Sequence, residues 1–150
     1  MFRSFVSLFR AAAPSFTDYE TAVLDAIMGE LAEPLRARFA QRLAAVTRIR
    51  RADGGRQVGV YQKIKGRVVF PVETRLTADD GEILLARFTV SSRRTLSALQ
   101  GKAWLSDGNF SRLSFTQPTE HARCDDVHRI SVKLDENFAA TASSLVDRST

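Results

Sequence analysis

The sequence has only one cysteine, two histidines and one tryptophan among its 150 residues. A single cysteine, Cys124, cannot form an internal disulfide, so nothing in the composition indicates an oxidising compartment, and we expect a cytoplasmic location. The longest apolar stretches are much shorter than the roughly 20 residues that a membrane-spanning helix needs. We therefore expect no membrane span.

The sequence also lacks the short motifs of common catalytic sites. It has no G-x-x-x-x-G-K-[ST] phosphate loop, no G-x-G-x-x-G, no G-x-S-x-G and no H-E-x-x-H. The neighbouring acids Asp79 and Asp80 precede Gly81, as turn residues commonly do, and do not indicate a catalytic pair. The sequence predicts no cofactor, and it favours a binding protein over an enzyme.

The composition is that of a soluble protein with a packed core. Hydrophobic residues make up 44% of the chain and charged residues 26%. A chain of this length can bury roughly 70% of the surface that its unfolded form exposes, so it needs no disulfide or metal to fold. We predict one domain over residues 15–138, preceded by an amphipathic segment (1–14) and followed by a polar, flexible tail (139–150).

The N-terminal segment reads MFRSFVSLFRAAAP and has no acidic residue. Phe2, Phe5, Val6 and Phe9 fall on one side of a helix, which Pro14 ends. Three interpretations stay open: packing within the protein or a homodimer, a targeting segment, and weak peripheral contact with a membrane.

Two further helices follow, and then the pattern changes to strands. Thr17 and Glu20 have the spacing of a capping box, and large residues then recur every four positions: Tyr19, Val23, Ile27 and Leu31. A second helix after Pro34 has the apolar residues Leu35, Phe39, Leu43 and Val46. Helices followed by strands predict an α+β fold, with N-terminal helices packed on one face of an antiparallel sheet of about five or six strands. This order of elements resembles the cystatin-like folds, a resemblance of architecture alone.

The first predicted hairpin turns at Gly54-Gly55, because a tight hairpin needs the positive φ angles that glycine adopts. This turn would place Ile49 opposite Val60, Arg48 opposite Tyr61 and Arg50 opposite Gly59. The predicted inner face is Ile49, Val58, Val60 and Ile64. The predicted outer face is Arg48, Arg50, Tyr61, Lys63 and Lys65.

Two later strand regions are less closely defined. Asp107-Gly108 predicts a second hairpin in one of two registers, one pairing Leu105 with Phe110 and the other grouping Leu105 with Leu113 and Phe115. The last predicted strand, VHRISVKL, would place His128, Ile130, Val132 and Leu134 on one face.

Positive charge is concentrated in one quarter of the chain. Residues 35–72 contain ten basic residues and one acid, Asp53, although the whole chain carries only +5. This segregation predicts a basic hairpin face that contacts an acidic partner protein through Arg48, Arg50, Tyr61, Lys63 and Lys65. The alternative is a module that binds single-stranded nucleic acid, because such modules combine cations with an aromatic ring. Arg36, Arg38 and Arg42 would extend the surface.

The segment TEHARCDDVHRI is the one candidate for metal or thiol chemistry. It contains both histidines and the cysteine at H-x2-C-x3-H spacing, so His121, Cys124, His128 and one aspartate could fill the four positions around zinc. A small metal-binding or cysteine-dependent enzyme is therefore a further alternative. The simpler interpretation is a polar loop that enters the last strand, with no metal bound.

Overall fold

The computed structural model describes residues 15–94 and 98–149. The predicted helix over residues 1–14 lies outside these residues. The described chain forms helices α1 (Asp18–Glu30), α2 (Leu35–Ala44) and α3 (Glu136–Ser149). Its strands are β1 (Arg48–Ala52), β2 (Gln57–Tyr61), β3 (Lys63–Ile64), β4 (Arg67–Val68), β5 (Glu82–Ser92), β6 (Ala98–Ser106), β7 (Asn109–Phe115) and β8 (Val127–Leu134).

Six of the strands form one antiparallel sheet in the order β1-β2-β7-β6-β5-β8, and β3 and β4 form a separate two-stranded hairpin. Helices pack on the six-stranded sheet, so the predicted α+β fold is confirmed. Because β7 lies between β2 and β6, the sheet joins two regions that are far apart in sequence. This neighbour relation determines which side chains meet on the two faces.

The helices cover one face of the sheet because each presents an apolar stripe to it. The capping box at the start of α1 is confirmed: the Thr17 hydroxyl accepts from the Glu20 amide at 3.1 Å, and Glu20 accepts from the Thr17 amide at 2.9 Å. On α2, the Phe39 ring lies 5.3 Å from that of Phe110 on β7. One cluster of buried side chains unites the three helices with the inner residues of the strands.

The register predicted for the first hairpin is confirmed. Arg48 pairs with Tyr61, Ile49 with Val60 and Arg50 with Gly59. Gly54 and Gly55 both have positive φ, +65° and +88°, which allows the tight reversal.

The prediction for Ile64 is wrong. Ile49, Val58 and Val60 face the core as predicted, but Ile64 belongs to the separate β3–β4 hairpin and is 52% exposed. The chain leaves the main sheet after Tyr61 and turns back at Lys65-Gly66, both with positive φ. The alternation of β2 therefore does not continue into β3.

The second hairpin contains a β-bulge, and each of the two predicted registers holds on one side of it. Leu105 pairs with Phe110, and the bulge after Trp104 restores the alternation so that Leu113 pairs with Ala103. As a result Leu105, Phe110, Leu113 and Phe115 are all buried.

The prediction for the last strand is wrong at His128, because a bulge lies at the start of β8. Ile130, Val132 and Leu134 pack against the core as predicted, but His128 is exposed. The register of β5 and β8 shifts between Ser91 and Ser92, which places Val127 in the buried position instead.

The C-terminal segment differs from the expected flexible tail, since α3 spans Glu136–Ser149. The Asp135 side chain accepts from the Asn137 amide at 3.1 Å, which satisfies an N–H group that a helix start would leave free. Phe138 and Ala142 are buried. No helix among the described residues is both long and apolar enough to cross a membrane.

Candidate functional site

The sheet face opposite the helices forms a continuous polar surface, which we call the open face. Each strand contributes alternate residues to it, and strand pairing aligns them in rows. One row contains Arg50, Gly59, Arg112, Trp104 and Leu84. The next contains Gln57, Ser114, Lys102, Arg87 and Lys133. All these residues are exposed or half-buried, so no described element covers them.

The open face is strongly cationic. Among the described residues its basic members are Arg48, Arg50, Arg87, Lys102, Arg112, Arg129 and Lys133, and its acidic members are Glu82 and Asp135. Glu82 pairs with Arg112 at 3.0 Å, and Asp135 pairs with Arg87 at 3.3 Å. Within the described part of the chain, the other five basic side chains have no ion pair. Their charge is therefore available to a partner.

The planar guanidinium group of Arg112 lies near the centre of the open face. The Arg112 guanidinium lies over the Trp104 ring, 4.9 Å from its centroid, and Lys102 approaches the same ring at 5.9 Å. Arg112 also donates to Gln57 Oε1 at 3.1 Å and to Glu82 Oε1 at 3.0 Å. The indole N–H of Trp104 donates to Ser114 Oγ at 3.1 Å. These contacts fix the orientation of both planar groups.

A shallow groove of about 440 Å³ crosses the open face. It extends over β2, β7, β6 and β5, perpendicular to the strands, and its polar rim includes Gln57, Arg87, Gln100, Lys102, Ser114 and Thr116. An extended ligand in this groove would therefore lie across the strands.

The structure divides the five predicted binding residues between two places. Arg48, Arg50 and Tyr61 lie on the open face. The Tyr61 hydroxyl lies above Gly59, only 3.1 Å from where a Cβ at that position would be. Lys63 and Lys65 lie instead on the β3–β4 hairpin, beside Arg67 and near the exposed apolar residues Val68 and Ile64.

The arginines of α2 do not extend the binding surface, contrary to the prediction. Arg42 is 1% exposed and donates to the Phe110 carbonyl at 3.0 Å and to Gln62 Oε1 at 3.1 Å. Burial lowers the pKa of Arg42 to about 10. Arg36 and Arg38 donate to backbone carbonyls of neighbouring segments.

Arg51 is the one β1 arginine whose charge is used within the protein. Its side chain points to the helices and holds the buried Glu20 carboxylate with two hydrogen bonds, of 2.8 and 2.6 Å. The hydrogen bond to Glu20 raises the pKa of Arg51. Alternation along β1 therefore separates a structural arginine from two solvent-facing ones.

The histidine and cysteine candidates are not brought together in a metal site. The His121 side chain is 93% exposed, His128 is exposed on β8, and Cys124 is half-buried. No group of three His, Cys, Asp or Glu residues within the described ranges can hold a metal ion. Burial, together with Asp18 and Asp125, raises the pKa of the Cys124 thiol, which disfavours the reactive thiolate.

A second cavity, of about 310 Å³, lies beside Tyr19 at the end of β5 and β6, with His121, Arg123 and Asp126 at its rim. Asp126 is already paired with Arg94 at 3.0 Å, and burial raises the pKa of Tyr19 to about 12.

Sequence reasoning missed the centre of the open face. The alternation in KAWLS and NFSRLSF already places Lys102 and Trp104 opposite Ala103 and Leu105, and Arg112 opposite Leu113 and Phe115. The missing information was that β7 lies beside β2, which brings these residues next to Arg50 and Tyr61.

Comparisons of the chain with protein-family models, with curated proteins and with solved structures find no match.

Proposed function

We propose that this protein is a non-enzymatic binding protein that holds single-stranded nucleic acid against its open face. The observation that supports the proposal is a set of five basic side chains that have no ion pair with any described residue, on a face that no described helix covers: Arg48, Arg50, Lys102, Arg129 and Lys133. Six strands spaced about 4.8 Å apart make this face roughly 24 Å wide. That width accommodates several nucleotides.

Charge is the main source of affinity in this proposal. Each phosphate that a lysine or arginine neutralises releases a condensed counter-ion, which gives a slope of about −0.7 in log K against log salt for a single strand. Five unpaired cations then predict a slope of about −3.5. Such binding is strong at low salt and weakens steeply as salt is added.

The distribution of apolar side chains supports nucleic acid over an acidic protein. Stable protein interfaces are organised around buried aromatic and aliphatic anchors, and charge alone contributes little there. The exposed large hydrophobic residues of the described chain, Ile64, Val68, Phe70 and Val72, all lie away from the open face. The open face therefore has the charge for an acidic protein, but its own apolar side chains, Leu84 and Trp104, are only partly exposed.

The planar groups support a single strand over a duplex. Tyr61 and the Arg112–Trp104 pair are half-buried on the open face. Only unstacked bases can lie on such groups, whereas the bases of a duplex are already stacked on each other.

Charge reversal on the open face tests the proposal. Arg50→Glu and Lys133→Glu change unpaired cations near opposite edges of the sheet, and each should weaken binding of a labelled oligothymidylate about tenfold at low salt, because an attraction becomes a repulsion. Fluorescence anisotropy measures the affinity, and circular dichroism checks that each variant folds.

Arg123→Glu is the matched control, because it makes the same charge change at an exposed loop position outside the sheet. It should stay within about twofold of the parent. Equal losses in all three variants would contradict the proposed face. Tighter binding of a duplex, or of polyglutamate, would contradict a single-stranded ligand.

A further inference from the structure

We infer that Arg112, held over the Trp104 ring, is a stacking platform for a nucleobase rather than a phosphate ligand. The inference rests on the proposed function and concerns which part of the nucleotide this residue meets. Arg112 is basic like its neighbours on the open face, but its contacts set it apart from the unpaired cations.

The first difference is charge. Glu82 lies 3.0 Å from the Arg112 guanidinium, so the charge of Arg112 is largely compensated before any ligand arrives. A phosphate would have to compete with this carboxylate. A neutral base has no such competition, because it meets the planar face and not the charged edge of the guanidinium.

The second difference is orientation. Gln57 and Glu82 accept from separate nitrogens of the guanidinium, and its central carbon lies over the Trp104 ring, 4.9 Å from the centroid. Gln57, Glu82 and Trp104 come from β2, β5 and β6, so three other strands fix one side chain of β7. The Arg112 side chain is nevertheless 32% exposed, which leaves surface for a base. Guanidinium planes are among the groups on which unpaired bases stack.

The third observation is the arrangement within the row. Gly59 separates Arg50 from Arg112, and the Tyr61 ring lies above Gly59. A planar aromatic group therefore lies between an unpaired cation and the stacked guanidinium. This order of side chains suits a single nucleic-acid strand. Its phosphates would contact Arg50 and Lys102, and its bases would lie over Tyr61 and Arg112.

In this arrangement Gln57 and Glu82 are positioning residues. They hold the guanidinium in one orientation through hydrogen bonds, and the Trp104 ring packs against it. Stacking tolerates any base, because every base has a planar face, so we expect only a modest sequence preference.

The test compares two ligands with the same phosphates. One is an oligothymidylate of about twelve nucleotides, and the other is an abasic oligonucleotide of the same length. The parent protein should bind the oligothymidylate more tightly by about tenfold or more, as expected for stacking of one or two bases. Arg112→Lys keeps the charge and removes the plane, so it should reduce this difference severalfold, with the base over Tyr61 still held, and leave affinity for the abasic strand unchanged.

Trp104→Leu is the second variant, since it removes the support and leaves every charge in place. It should reduce the difference between the two ligands in the same way. Equal affinity of the parent protein for both ligands would overturn the inference, even if neither variant folds. So would a parallel loss for both ligands in Arg112→Lys. If the parent binds neither ligand, the proposed function itself fails.

An independent readout comes from the chain's single tryptophan, Trp104. Its emission should change when the oligothymidylate binds, because a base then lies over the guanidinium that covers the indole. The abasic strand should change the emission much less. An equal change with both ligands would contradict stacking at Arg112.

Discussion

Replacing Arg51 with methionine removes a buried ion pair and leaves the apolar part of the side chain largely in place. Arg51 binds Glu20 through two hydrogen bonds, and the Glu20 side chain is only 2% exposed. The change leaves a buried carboxylate that still accepts a hydrogen bond from the Thr17 amide at 2.9 Å. The perturbation therefore acts on the junction between α1 and the edge strand β1.

The magnitude follows from the burial of the two partners. Removing one member of a fully buried pair costs about 3–5 kcal/mol. The Arg51 side chain is 36% exposed, so water partly screens the pair and reaches the abandoned carboxylate. We expect a loss of about 2–3 kcal/mol in the free energy of unfolding. At about 2–4 °C per kcal/mol, the Tm should fall by roughly 4–12 °C.

The assay is urea unfolding followed by circular dichroism, with Arg50→Met as the matched control. Arg50 is the preceding residue of the same strand, but it points to solvent and has no ion pair in the described part of the chain. Arg50→Met should change stability by less than about 0.5 kcal/mol and weaken oligonucleotide binding. Arg51→Met should lower the free energy of unfolding and leave oligonucleotide affinity unchanged. Equal stability of the two variants would refute the assigned orientation of β1.

Two further predictions concern other parts of the fold. Gly101→Ala should destabilise the protein by about 2–3 kcal/mol in the same unfolding assay, because the new methyl group would collide with the Phe88 ring and lie 2.6 Å from the Ser114 carbonyl oxygen. Gly29→Ala, which meets nothing within 4 Å on α1, should instead stabilise it by about 0.5–1 kcal/mol, and a similar result for both changes would contradict the packing at Gly101. Cys124 should react with a disulfide reagent more slowly than a free peptide thiol at neutral pH, because its raised pKa reduces the thiolate fraction, and the rate should climb at a higher pH than for the peptide. Faster reaction than the peptide would show an activated thiol.

Local patterns were sufficient to predict the elements that depend on near neighbours. The capping box at Thr17 and Glu20 and the register around Gly54-Gly55 each depend on residues close in sequence, and both are confirmed. Ile64 was misassigned because alternation cannot show where a chain leaves a sheet. His128 was misassigned because a bulge at the start of β8 breaks the alternation, so that Val127 and not His128 lies on the same side as Ile130.

The candidate site needed information that a single sequence does not contain. Arg50 and Arg112 share a row only because β2 and β7 pair across more than fifty residues of chain. Charge counting also could not separate Arg51, which serves the core, from Arg50, which faces solvent. Alternation along β1 places Arg50 and Arg51 on opposite faces, but only the three-dimensional position of Glu20 shows what Arg51 binds.

The salt dependence of oligothymidylate affinity measures how far the unpaired cations of the open face hold a single strand through its phosphates. The measurement is a series of anisotropy titrations of the full chain between about 50 and 200 mM NaCl. The account predicts a linear plot of log K against log salt with a slope of about −3.5, and a shallower slope for Lys133→Glu. Affinity that does not change with salt, or a parent protein that fails to bind at the lowest salt, would contradict it.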